Sequence, residues 1–237
     1  MSTYDANAVA HRLVRETRRL FRTSRAHWRR LVANKIFIAG CARSGTTLTR
    51  SLMGCFDNTL VFLPEAPYTQ FYRLDERETN LVVKRDSTSY AHLPKLPAAI
   101  GLIYCVRHPF DVLTSSHPET RMERRFHVTH ERWLLEYEGL LELRRTQPAR
   151  DILYLRYEDT IGQPDMMQQR IAKRFGLTPR IRFSEDPENP IRASSLRKWE
   201  RNEEYLSYLK ALPPAFTTRL EEFCAEFGYG IPDWADA

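Results

Sequence analysis

The sequence predicts a single-domain α/β fold in which a parallel sheet is flanked by helices, and three observations carry that prediction. Short apolar runs of β-type residues alternate with helical patterns, as they do where helices cover a parallel sheet. One of those runs, KIFIAG, leads through a glycine-bearing loop into a helix. The chain has 237 residues, 42% of them hydrophobic and 28% charged, which is the size and composition of one domain around one sizeable core.

The elements follow in chain order. Residues 1–34 read as a basic helical arm and residues 35–237 as the domain proper. In the arm, HRLVRETRRLFRTSRAHWRR (residues 11–30) sets Leu13, Leu20, Phe21 and Trp28, with Leu31, on one approximate helical face. That face either packs on the domain or makes peripheral contact with an acidic membrane surface. Strands are expected at Lys35–Ala39, Leu60–Leu63, Leu81–Lys84, Leu102–Val106 and Ile152–Arg156, and a helix opens near Thr46. His130–Arg145 repeats apolar residues at three and four positions, as a core-facing helix does. Pro164–Phe175 and Pro214–Phe227 are further helices, closed by Gly176 and Gly228. Thr178–Asn202, with three prolines and weak periodicity, is expected to be a long irregular loop.

Composition narrows the function classes. No run of roughly 18 apolar residues and no secretory start is evident, so the expected compartment is the cytoplasm, with association at a membrane surface if the arm docks there. The four cysteines, Cys41, Cys55, Cys105 and Cys224, lie on apolar segments without CxxC spacing, which points to neither a disulfide framework nor a zinc site. A net charge of +6 favours an anionic partner. Nucleic acid is not expected to be that partner, because no base-reading motif or aromatic platform stands out.

The strongest chemical signal is KIFIAGCARSGTTLTRSLM, residues 35–53. Its loop, Gly40 to Thr47, is P-loop-like: backbone amides and a helix N-terminus converge where an oxyanion can sit. Thr46, however, stands where a nucleotide triphosphatase carries its lysine, and no separate magnesium-binding carboxylate is apparent. The second signal is LIYCVRHPFDVLTSSH, residues 102–117, a strand ending in Arg107 with Ser115 eight residues on. The guanidinium can fork onto a phosphate and the hydroxyl can donate to the same group, while Asp111 could simply cap the intervening helix. Two phosphate sites at the carboxyl ends of parallel strands imply a ligand phosphorylated at both ends.

On these motifs, and on LRYEDTIGQP (residues 155–164) followed by RFGL, the sequence resembles the sulfotransferase family that uses 3′-phosphoadenosine 5′-phosphosulfate (PAPS). The landmarks span Lys35 to about Lys198, and the RSGTT form of the loop looks closest to the tyrosylprotein and carbohydrate branches. The resemblance implies the sulfotransferase fold and PAPS as cosubstrate, with adenosine 3′,5′-bisphosphate as product and no metal. It implies that Arg43, Ser44, Gly45, Thr46 and Thr47 wrap the 5′-phosphate, that Arg107 and Ser115 take the 3′-phosphate, and that Tyr157 and Lys198 line the nucleotide pocket. The tyrosylprotein branch carries a glutamate at the place of Glu65.

Sulfuryl transfer needs in-line positioning, positive charge on the leaving phosphate and a base for the acceptor proton. Arg43 and Lys84 are the expected cations, although a lysine ending a strand is often only solvated. Glu65 in VFLPEAPY is the expected base, with His92, His108, His117, His127 and His130 as rivals. The acceptor is expected to be a hydroxyl compound: a glycan, glycolipid or small metabolite. RMERRFHVTHER, residues 121–132, could face an anionic sugar or head group or could be a solvated face. The competing functions are a P-loop kinase and a non-catalytic nucleotide- or nucleic-acid-binding module.

Overall fold

The computed structural model describes residues 34–74, 79–118, 120–191 and 196–232. The arm therefore lies outside the described residues except for Asn34, which opens the first strand. Five strands, β1 (Asn34–Gly40), β2 (Thr59–Glu65), β3 (Asn80–Lys84), β4 (Gly101–Val106) and β5 (Ile152–Arg156), form one sheet in the order β2-β3-β1-β4-β5. Every pairing is parallel. Because β1 is central and the chain runs out to one edge before crossing to the other, the carboxyl end of β1 is a topological switch point.

The central strands are apolar almost without interruption because both faces are covered. On one face Phe37, Val83, Leu102 and Tyr104 join Trp133, Tyr137 and Leu140 of α3 (His130–Thr146) and Phe216, Leu220 and Phe223 of α7 (Pro214–Phe227). On the other, Ile36, Ile38, Val82 and Ile103 meet Leu52 of α1 (Thr46–Leu52) and Met167 and Ile171 of α5 (Pro164–Phe175). Successive residues of β1 divide between the two cores, as the two-residue period of a strand requires. Gly176 and Gly228 close α5 and α7 in the left-handed conformation that glycine adopts at low cost.

Three local features depart from the sequence expectation. β2 runs two residues past Leu63, so Glu65 ends the strand instead of following it. Phe62 pairs with Val83 but Glu65 with Lys84, a bulge that sets Leu63 and Pro64 out of the ladder where a proline can be tolerated. The helix after β4, α2 (Pro109–Leu113), is capped by the His108 ring, which accepts from the Phe110 amide. Asp111 is not that cap: its buried carboxylate accepts from the backbone amide of Arg197 at 3.0 Å, tying a distant segment to α2.

The stretch 178–202 is irregular where it is described, apart from short 3-10 turns at Phe183–Glu185 and Lys198–Arg201. Its first half is held by Gln168 of α5, which donates to the Ile181 carbonyl and accepts from the Phe183 amide. Two short helices complete the description, α4 (Tyr157–Gly162) and α6 (Glu203–Lys210), the latter capped by Asn202. All four cysteines are free and buried. Among the described residues no helix is long and apolar enough to cross a membrane.

Candidate active site

Parallel strands deliver their carboxyl ends to one edge, and that edge gathers Glu65 from β2, Lys84 from β3, the 40–47 loop after β1, Arg107 after β4 and Tyr157 after β5. The loop needs its glycines. At Gly40, with φ of 134°, a Cβ would stand 2.3 Å from the Cys105 carbonyl oxygen. At Gly45, with φ of 98°, it would stand 2.6 Å from the Tyr157 ring. Ser44 closes the turn on itself, its amide and hydroxyl both donating to the Cys41 carbonyl at 3.1 and 2.7 Å. Its hydroxyl is buried and committed to shaping the loop. Thr46 and Thr47 open α1, with Thr46 buried and Thr47 exposed.

Arg43 sits in the left-handed region at φ 69°, a costly conformation for a side-chain-bearing residue and one that gathers at functional sites. Its Nε is buried with no hydrogen-bond partner among the described residues. Its carbonyl accepts from Arg107 Nη1 at 3.1 Å. Burial first, and then the positive charge of Arg107, push the Arg43 pKa down. Arg107 is buried, lies 4.3 Å over the Tyr157 ring and keeps Asp111 at 3.9 Å. Arg107 thus links the loop to Tyr157, holding the Arg43 carbonyl while its guanidinium covers the ring.

Ser115 lies beyond α2 and its hydroxyl donates to the Asp111 carbonyl. Lys198 is exposed; its neighbours do the docking, Arg197 through Asp111 and Trp199 edge-on to Phe110 at 5.1 Å between ring centres. The structure therefore gathers Arg43, Thr47, Glu65, Lys84, Arg107 and Tyr157, and leaves the Lys198 side chain at the surface.

Lys84 joins the two sides of the edge. Its buried ammonium donates to Thr47 Oγ1 at 2.7 Å and to Glu65 Oε1, whose side chain is half exposed. Burial lowers the Lys84 pKa and the Glu65 carboxylate pulls it back up. These residues line a cleft of about 390 Å³ that also holds Arg43 and Thr46. Its remaining wall is basic. Arg85, next to Lys84, pairs with Glu136 of α3 at 2.7 Å, and Arg132 pairs with the same carboxylate oxygen, also at 2.7 Å. Arg124, His117 and His127 also line this cleft, the two imidazoles tilted at 35° with centres 4.8 Å apart. His108 faces a separate cavity of about 660 Å³ with Trp199 and Tyr229.

The Arg85–Glu136–Arg132 group escaped the sequence argument, although one signal was present. Glu136 falls on the face of α3 shared by Trp133, Tyr137 and Leu140, and a carboxylate on a core face needs buried cations.

No family model and no curated protein matches the sequence. Among solved structures, a sulfotransferase domain from the curacin biosynthetic pathway superposes with a TM-score of 0.60 at 17% identity, over 84% of this chain and 99% of that one. A mouse sulfotransferase, SULT7A1, solved as a complex with PAP, matches with a TM-score of 0.41 at 15% identity, over 76% of this chain and 68% of that one, a likeness too slight to build on. At such identities the comparison speaks for architecture, and with the parallel sheet it shows that this chain has the fold of a sulfotransferase domain.

Proposed function

We propose that the chain is a sulfotransferase that moves a sulfuryl group from PAPS to the hydroxyl of an acceptor, a glycan, glycolipid or small metabolite. The observation that carries this reading is the Arg43–Arg107 contact. The Arg107 guanidinium holds the Arg43 carbonyl at a loop whose amides already favour an anion, and burial first, then the like charge of Arg107, disfavour the protonated form of Arg43. A bound phosphate relieves that repulsion and gives the buried Arg43 Nε an acceptor. The residues therefore fit a phosphorylated donor: Arg43 with the loop amides for the 5′ end, and Arg107 together with Ser115 for the 3′ end.

PAPS supplies an activated sulfuryl group when bound. Glu65 takes the acceptor's proton as the acceptor oxygen bonds to sulfur. Arg43 and Lys84 balance the charge that the phosphate oxygen keeps when the bond between sulfur and that oxygen breaks. Lys84 suits this double position because it already bridges Thr47 of the loop and Glu65. The cations do the work that magnesium does in phosphoryl transfer.

Calorimetric titration with adenosine 3′,5′-bisphosphate, ATP and a short oligonucleotide, each with and without magnesium, tests the class. Micromolar binding of the bisphosphate without magnesium is expected. Magnesium-dependent preference for ATP would replace this reading with a kinase, and preference for the oligonucleotide with a nucleic-acid-binding module.

A further inference from the structure

We propose that the acceptor carries an anionic group of its own, a carboxylate, phosphate or sulfate, which Arg124 and Arg132 hold at the end of the cleft away from the 40–47 loop. The proposal rests on the sulfotransferase reading and concerns what the rest of that cleft recognises.

The cleft has a surplus of positive charge that the donor does not account for. Among the described residues its lining contains Arg43, Lys84, Arg85, Arg124 and Arg132 but a single carboxylate, Glu65, which Lys84 already occupies. Arg43 and Lys84 belong to the loop end, where the phosphosulfate is proposed to bind. At the other end Glu136 answers Arg85 and Arg132 together, so one carboxylate faces two guanidiniums. The Arg132 side chain is further fixed by the Ser87 carbonyl and by the Tyr90 ring 4.4 Å away, a preorganised and partly exposed donor.

Arg124 adds another charge to this wall, and no carboxylate pairs with it among the described residues. Among the described residues the guanidiniums of Arg85, Arg124 and Arg132 thus leave an excess of positive charge on the wall of a cleft of about 390 Å³. A neutral acceptor filling that space would strip water from them and give nothing back. An acceptor with an anionic group returns charge-assisted hydrogen bonds, and leaves its hydroxyl to approach Glu65. The cleft volume fits a sugar-sized acid or the anionic end of a larger molecule.

The test is calorimetry on the full chain saturated with adenosine 3′,5′-bisphosphate. The probes are paired: glucuronate and glucose 6-phosphate against glucose, and 4-hydroxybenzoate against 4-hydroxybenzamide. At least one anionic probe should bind about tenfold or more tightly than its neutral partner. Arg124→Gln should remove about tenfold or more of that affinity and Arg124→Lys should restore part of it, with the neutral probes unchanged. The proposal falls if neutral and anionic partners bind alike, if no anionic probe binds below about 10 mM, or if Arg124→Gln leaves the difference intact. The bisphosphate titration is read first and separately. If the nucleotide itself fails to bind, the sulfotransferase reading fails, and the same probes on the nucleotide-free chain still decide whether the cleft selects anions.

Discussion

At the loop end of the cleft the Arg43 carbonyl accepts from Arg107 and the Arg43 Nε has no partner among the described residues; at the other, Arg85 and Arg132 close on the same carboxylate of Glu136. Both ends bury guanidinium charge: at the first Asp111 stands 3.9 Å from Arg107 while no carboxylate among the described residues pairs with Arg43, and at the second one buried carboxylate is shared by Arg85 and Arg132. The difference separates a pair that holds the fold, Arg85 with Glu136, from a guanidinium left open to a ligand, Arg43. A buried charge with its own counter-ion holds the fold in one arrangement, whereas one left with a like charge beside it is a place where an anion is stabilising.

Substitution can break that comparison at either end. The largest effect on the fold is expected from Glu136→Ala, which strands two guanidiniums and should cost about 3–5 kcal/mol in urea unfolding. A loss below about 1 kcal/mol would show that water already serves those arginines, and the contrast between the two ends would disappear. For catalysis the matching change is Glu65→Gln, expected to slow single-turnover transfer by about 10²–10⁴-fold with bisphosphate binding intact. His117→Ala, in the same cleft, should then be mild. If the histidine variant is the severe one and Glu65→Gln keeps more than about a third of the rate, the base is an imidazole.

At the Arg43 end the pattern should invert. Arg43→Gln is expected to change unfolding stability by less than about 1 kcal/mol, while Arg107→Ala weakens adenosine 3′,5′-bisphosphate by about 1.5–3 kcal/mol and adenosine 5′-monophosphate much less. Equal losses for the two nucleotides would remove Arg107 from the 3′-phosphate. The smallest effect concerns pH. Burial lowers the Lys84 pKa, so its positive charge is lost as pH rises through a value below the ordinary lysine range. The transfer rate should therefore fall on the alkaline side earlier than a solvated lysine would dictate, and Lys84→Arg should carry that limb to higher pH. An unchanged limb would remove Lys84 from the leaving-group charge.

Much of the scaffold was legible because the inner parallel strands are buried on both faces and so read as short β-branched apolar runs set off from the longer helical patterns between them. All five expected strands are present, shifted by at most two residues, and the helices ending at Gly176 and Gly228 have the expected bounds. The loop from Gly40 to Thr47 was legible as well, since its glycines answer local needs: a close approach to β4 and a left-handed turn under Tyr157. The far wall was not, because Arg85 and Glu136 are 51 residues apart and only the packing of α3 on the sheet brings them together. The tie between Asp111 and the Arg197 amide, across 86 residues, was hidden for the same reason, and the helix cap that Asp111 could have made belongs to His108.

The irregularity in β2 has a consequence that is arithmetical. Between Phe62 and Glu65 this edge strand spends three steps while β3 spends one, so two residues are surplus to the pairing. Two residues are one full pleat, and an even surplus returns the following side chain to the face it would otherwise have had. Glu65 thus inherits the position beside Lys84 that an uninterrupted ladder would have given to Leu63, which is 69% exposed and contributes little to the core. Parity, more than the chemistry of the intervening residues, keeps the carboxylate in place. Lengthening or shortening the chain at Leu63–Pro64 by two would preserve the proposed base, whereas a change of one would turn it to the opposite side of the sheet.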